Sequence, residues 1–128
     1  MRIDHVAVNA LNLEKELAFL TEFLTLTLLQ KWDDLRQAYV GFPEGPVIGV
    51  IENKTYDGAV YTMAHLAFCV SADEFKGWVN KIEWAGVEIV AGPKPQRGGE
   101  TILFKTPSGN IIEICYPYVR NTIANQAL

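Results

Sequence analysis

The sequence predicts an α+β fold in which two βαβββ modules form a curled mixed sheet, with helices outside and a pocket inside. Three observations point to it. First, Met1-Arg-Ile-Asp-His5-Val-Ala-Val-Asn9 and Thr62-Met-Ala-His65-Leu-Ala-Phe-Cys-Val70 each set one histidine in an apolar strand that leads into a helix. They are the only histidines in the chain and lie sixty residues apart, as in an internal duplication whose copies stack to bury a shared sheet. Second, the order strand, helix, three strands can be traced twice. Third, strand parity gathers bulky side chains on one face and the histidine and glutamate side chains on the other.

The first module covers residues 1–56. Residues 2–9 alternate as a strand, with Ile3, His5 and Ala7 on one side and Asp4, Val6 and Val8 on the other. Asn12 has the side chain of an N-cap, and Leu13, Leu17, Leu20 and Leu24 recur at helical spacing, which predicts a helix over 12–24. Strand-like runs follow at 26–32, 36–42 and 46–52, separated by Asp33-Asp34 and by Pro43-Glu-Gly-Pro46.

The second module, 61–118, repeats the order. After a strand over 62–70, Ser71-Ala-Asp-Glu74 has the form of a capping box, in which Ser71 and Glu74 satisfy each other's end of the first helical turn. Phe75, Trp78, Val79 and Ile82 make the buried stripe, and Gly86 stands where a left-handed residue ends the helix. Strands are expected at 86–91, 100–106 and 110–116, and the glycine-rich stretch 92–99 reads as a loop able to act as a lid. Trp32, Trp78 and Trp84 are read as packing residues. The whole of 1–128 is then one domain made of the two modules, with 119–128 as a tail.

At 128 residues, 49% hydrophobic and 20% charged, the chain has the composition of a globular domain. Its net charge of −4 and scattered Lys and Arg give no basic stripe, which argues against nucleic acid as a partner. The first residues lack a signal-peptide core, and no apolar run approaches the roughly 18–20 residues that span a bilayer, so a cytoplasmic protein without a membrane partner is expected. Cys69 and Cys115 follow no metal or redox spacing and are expected as free thiols in strands.

Glu113 carries the chemistry. It interrupts the apolar strand Ile111-Ile-Glu113-Ile-Cys-Tyr, and a carboxylate in such a place needs a partner or a cation. Strand parity puts Glu113 with Ile111 and Cys115, and puts His65 with Met63, Ala67 and Cys69. Two histidines and one glutamate delivered by three strands suit a divalent metal. The bland alternative is an ion pair of Glu113 with Lys105 or Arg97.

The residues Ile3-Asp-His5-Val-Ala-Val, Ala64-His65-Leu-Ala-Phe and Thr106-Pro-Ser-Gly-Asn-Ile-Ile-Glu113 resemble the vicinal oxygen chelate superfamily of glyoxalases, fosfomycin-resistance enzymes, extradiol dioxygenases and bleomycin-resistance proteins. The resemblance covers residues 1–117 and implies metal ligands at His5, His65 and Glu113, holding Mn, Fe, Ni, Co or Zn. Laying Glu44-Gly-Pro-Val-Ile-Gly49 on Ser108-Gly-Asn-Ile-Ile-Glu113 puts Gly49 in the slot of the fourth carboxylate. Glu52 is the rival for that slot by spacing, but its strand parity is opposite. Lys105, Thr101, Tyr39 and Gln37 are candidate substrate contacts, and no residue stands out as general base.

The activity implied is a glyoxalase-like or fosfomycin-resistance-like reaction, by proton transfer or nucleophilic addition at a metal-polarised oxygen of a small oxygen-rich substrate. Extradiol ring cleavage uses a similar ligand set but also a further histidine, which this chain lacks. A binding protein of the bleomycin-resistance kind is the alternative without turnover. The resemblance also implies a homodimer whose site is shared between the chains.

Overall fold

The computed structural model describes residues 1–58 and 64–123. It contains two compact units, Met1–Tyr61 with Thr106–Asn110, and Thr62–Lys105 with Ile111–Leu128.

In the first unit, strand β1 (His5–Ala10) is followed by helix α1 (Leu13–Ala18), then β2 (Thr27–Trp32), β3 (Gln37–Gly41) and β4 (Val47–Glu52). The sheet runs β1-β4-β3-β2, with β1 parallel to β4 and the other pairs antiparallel. The Asn12 side chain caps α1 by accepting from Lys15 N at 3.0 Å. Leu13, Leu17, Leu20 and Leu24 are all buried, together with Ala38, Val40, Ile48 and Val50 from the sheet. Burial on that scale contributes about 1.5–3 kcal/mol for each large aliphatic side chain.

The helix expected over 12–24 changes pitch part-way, becoming a π-helical turn over Phe19–Phe23. Thr21 Oγ1 donates to Leu17 O at 2.8 Å and competes for the carbonyl that regular helix would use, while Leu24 N reaches back to Phe19 O. Thr25, with φ +65°, then turns the chain out, and Leu26 N closes on Leu20 O.

In the second unit β5 (Leu66–Cys69) leads into helix α2 (Ala72–Ala85), followed by β6 (Ile89–Gln96), β7 (Gly99–Lys105) and β8 (Ile111–Tyr116). The sheet runs β5-β8-β7-β6 with the same pattern of parallel and antiparallel pairs. A helical turn, α3 (Val119–Thr122), stands in the expected tail. The capping box of Ser71 and Glu74 is present, and Gly86 ends α2 at φ +68°. Phe75, Val79 and Ile82 are buried, as are Ile102, Phe104, Ile112 and Ile114 of the sheet.

Four expectations are corrected. The sheet is not one curled surface around a pocket but two open four-stranded sheets. The reason lies in the pairing: each first strand docks parallel on the fourth strand of its own module, so every ladder is completed locally. Each ladder therefore ends in two open edges, β1 and β2 in the first sheet and β5 and β6 in the second.

The strand expected at 62–70 is ordered into the ladder only from Leu66, so His65 immediately precedes it, and the placement of Met63 lies outside the described residues. The stretch 92–99 is not a lid. Ile89–Gln96 is strand, bulged around Gly92, where φ is +87° and a Cβ would come within 2.4 Å of Thr101 O. Arg97 and Gly98, both at positive φ, make the two-residue turn into β7. Finally, Trp78 is only half-buried, with Lys81 Nζ 4.7 Å from its ring centroid, and Trp84 is 91% exposed.

Candidate functional site

The two ladders place repeat-related residues in the same register. Ala7, two positions after His5, pairs with Gly49, and Ala67, two positions after His65, pairs with Glu113. On the other side of the same strands, Tyr39 pairs with Gly49 and Leu103 with Glu113. Gly49 is therefore the structural counterpart of Glu113, and Gln37 that of Thr101. Glu52 pairs with Ala10, three residues further along.

In the second unit, His65 Nε2 lies 3.0 Å from Glu113 Oε1. Glu113 is 5% exposed, and its other oxygen accepts from Thr101 Oγ1 at 2.6 Å and from Gln96 Nε2 at 3.3 Å. Thr101 belongs to the strand next to β8 and shares the face of Glu113 by parity, which is why its hydroxyl reaches the carboxyl group. Gln96 sits at the end of β6, inside the stretch that sequence patterning reads as loop, and no periodicity in that stretch marks it. Lys105 is turned away to Glu88, its Nζ 3.0 Å from Glu88 Oε2. The ion pair of Glu113 with Lys105 or Arg97 is thus replaced by the contact with His65.

Cys115, also on this face, is buried, and its Sγ lies 4.0 Å from Arg97 Nη2. Burial pushes its thiol pKa up, and the neighbouring Glu113 adds to the shift.

The first unit holds His5 in an exposed position, with Nδ1 2.8 Å from Asp4 Oδ2 and its ring 6.0 Å from that of Tyr39. Tyr39 also meets Trp32 edge-on at 5.3 Å. A Cβ at Gly49 would lie 3.4 Å from Tyr39 and 3.5 Å from Ala7, ordinary contact distances. Gln37, half-buried, continues this face two residues before Tyr39.

Glu52 serves the fold. Its carboxyl group accepts from Arg36 Nη2 at 2.7 Å, Arg36 Nε at 3.2 Å and Leu13 N at 3.1 Å, so it caps α1 and anchors Arg36. The Arg36 guanidinium, with help from the Leu13 N–H, holds its pKa down at about 2.

Sequence patterning misses Glu16. This side chain is fully buried on α1 and accepts from Thr106 Oγ1 at 2.6 Å, Ser108 N at 3.0 Å and Asn110 Nδ2 at 2.8 Å. It fixes the turn that leads into the strand bearing Glu113. The signal was present: a charged residue within the apolar stripe of Leu13, Leu17 and Leu20.

Among the described residues, no group of three or more His, Cys, Asp or Glu side chains is gathered closely enough to hold a metal ion. The donor set at His65 and Glu113 nonetheless suits one: an imidazole nitrogen and a carboxyl oxygen converge, and the second carboxyl oxygen is oriented by a hydroxyl and an amide. No described helix is long and apolar enough to cross a membrane.

The model of the glyoxalase/bleomycin resistance protein/dioxygenase superfamily matches residues 2–114. Among solved structures, the chain is similar to an integron cassette protein from the mobile metagenome of the Halifax Harbour sewage outfall, at 24% identity and a TM-score of 0.75 over 90% of this chain and 97% of that one. It is similar to a glyoxalase/dioxygenase from Nostoc punctiforme, at 21% identity and a TM-score of 0.76 over 91% and 92% of the two chains. A mutant of the fosfomycin resistance protein FosX from Listeria monocytogenes, complexed with Mn(II) and 1S,2S-dihydroxypropylphosphonic acid, matches at 20% identity and a TM-score of 0.79 over 95% and 94%. No protein of curated function matches the chain in sequence. These likenesses share the architecture found here, and the match over residues 2–114 settles the lineage: the chain belongs to the glyoxalase/bleomycin resistance protein/dioxygenase superfamily.

Proposed function

We propose that the protein is a metal-dependent enzyme of the glyoxalase or fosfomycin-resistance type, with His5, His65 and Glu113 as ligands of a divalent transition ion. The observation that carries this reading is the 3.0 Å approach of His65 Nε2 to Glu113 Oε1, with Thr101 and Gln96 holding the opposite carboxyl oxygen. The similar fold of FosX was solved with Mn(II). When bound, such an ion supplies Lewis acidity that stabilises negative charge developing on a substrate oxygen. Thr101 and Gln96 keep Glu113 oriented, and Tyr39 and Gln37, on the face of the first unit that carries His5, contact a small oxygen-rich substrate. With Gly49 in the fourth position the protein ligands number three, which leaves coordination sites for water and substrate. The assembly that goes with this reading is a homodimer in which one protomer supplies His5 and the other His65 and Glu113.

The test is elemental analysis after loading with Mn, Ni, Zn or Fe(II), joined to sedimentation. Stoichiometric metal on a dimer, lost in His65→Ala and Glu113→Gln, is expected. A wild-type protein that takes up none of these ions overturns the reading.

A non-catalytic small-molecule-binding role is the second reading, favoured by the three polar partners, His65, Thr101 and Gln96, that Glu113 has within the protein itself. Tight binding of a small molecule by metal-free protein, unchanged in His65→Ala, is the result that selects it.

A further inference from the structure

Cys69 and Cys115 are Cα partners in the parallel β5–β8 ladder. Parallel neighbours lie about 4.7–4.9 Å apart, inside the Cα separation of roughly 4.4–6.8 Å that a disulfide spans. Partners in register project to the same face of the sheet, and Val70 N, donating to Cys115 O at 3.0 Å, fixes the register at this end of β5. The Cys115 sulfur leans across towards β5, lying 3.8 Å from the carbonyl oxygen of Phe68, the residue before Cys69. Both thiols are free, Cys69 exposed and Cys115 buried.

We propose that this pair is an oxidation site, a cross-strand dithiol that a hydroperoxide converts to the Cys69–Cys115 disulfide. The division of labour follows from exposure. Cys69 meets the oxidant, and Cys115, shielded from it, resolves the product. In the first step the Cys69 sulfur takes the outer oxygen of the hydroperoxide; the S–O bond forms as the O–O bond breaks, and the alcohol, or water from hydrogen peroxide, leaves with the Cys69 proton. In the second, the Cys115 sulfur attacks the Cys69 sulfenic acid; the S–S bond forms as the S–O bond breaks, and hydroxide leaves with the Cys115 proton as water. Two thiols are oxidised by two electrons and the peroxide is reduced by two. The new bond would pin the four-residue edge strand β5, which follows His65, to the strand that carries Glu113.

The experiment treats the native protein with hydrogen peroxide, blocks remaining thiols with N-ethylmaleimide before unfolding, and maps the peptides. A linked Cys69–Cys115 peptide, released by dithiothreitol, is expected. Cys115→Ser should then accumulate a dimedone adduct at Cys69 that the wild type does not. Cys69→Ser, at an exposed position that leaves packing intact, should abolish peroxide modification of Cys115. The inference is overturned by equal dimedone labelling in wild type and Cys115→Ser, by Cys69 advancing to sulfinic acid beside a free Cys115, by Cys69 linking two chains, or by unchanged Cys115 oxidation in Cys69→Ser.

Discussion

Gly49 stands opposite Ala7 in the first sheet at the register where Glu113 stands opposite Ala67 in the second. One module thus carries a carboxylate where the other carries a hydrogen atom. A Cβ at Gly49 meets only ordinary contacts, and its backbone is not in the left-handed region. Gly49 is buried, however, so the added carboxylate has no partner in the metal-free chain, and Gly49→Glu should cost about 1–3 kcal/mol of stability while keeping the fold. If the metal reading holds, it should add a fourth ligand and tighten Ni or Zn binding by at least about tenfold, or about 1.4 kcal/mol. Calorimetric titration checks the affinity, and thermal unfolding checks the fold.

Thr101→Val removes the shortest hydrogen bond to Glu113 at a fully buried position. Leaving that oxygen short of a donor should cost about 1–3 kcal/mol of stability. If the metal reading holds, loss of an orienting partner should also weaken metal binding by about 10–100-fold. Thr101→Ser, which keeps the hydroxyl, should restore most of the affinity, and equal behaviour of Val and Ser would show that the hydroxyl has no positioning role.

Glu16→Ala should be among the most damaging substitutions in the chain, because it strips an acceptor from Thr106, Ser108 and Asn110 together. About 3–5 kcal/mol is expected from urea titration, since several donors in a buried turn lose their acceptor at once. Thr106→Val in the same background should add little, with a coupling of about 0.5–3 kcal/mol in a double-mutant cycle.

The Arg36 and Glu52 pair predicts an acid limb. The Glu52 pKa lies at about 2 in the folded chain, against an ordinary 4.5. A depressed carboxylate pKa contributes stability that is complete above the unfolded value and is lost as pH falls towards the folded one. Wild type should lose stability relative to Glu52→Gln between about pH 4.5 and about pH 2, and parallel denaturation midpoints for the two proteins across that window would contradict the assignment.

Much of this architecture was legible because local signals agreed with one another. The leucines of α1, the Ser71 and Glu74 capping box and Gly86 each announce a helix boundary or face by a mechanism confined to a few residues. The curled sheet was not legible, because which strand ends a ladder depends on pairing between residues tens of positions apart, such as His5 with Val47 and Leu66 with Ile112. The extended stretch through Gly92 and Pro93 was hidden for a related reason: its glycines and prolines read as loop, yet β7 supplies a partner for them. At the candidate site, Glu113 declared itself as a lone acid in an apolar strand. Gln96 did not, since its contact with Glu113 depends on the β6–β7 hairpin.

The first unit is discontinuous along the chain: Thr106–Asn110, far downstream, fills in beneath α1 and meets Glu16. Its glycine, Gly109, packs so closely on Gly58 that a Cβ there would lie 2.6 Å from Gly58 Cα. Cutting the gene between the repeats would accordingly yield an amino-terminal fragment in which Glu16 has lost all three of its donors, Thr106, Ser108 and Asn110. Although the halves read as copies, a first copy shuffled on its own would leave part of its own unit behind.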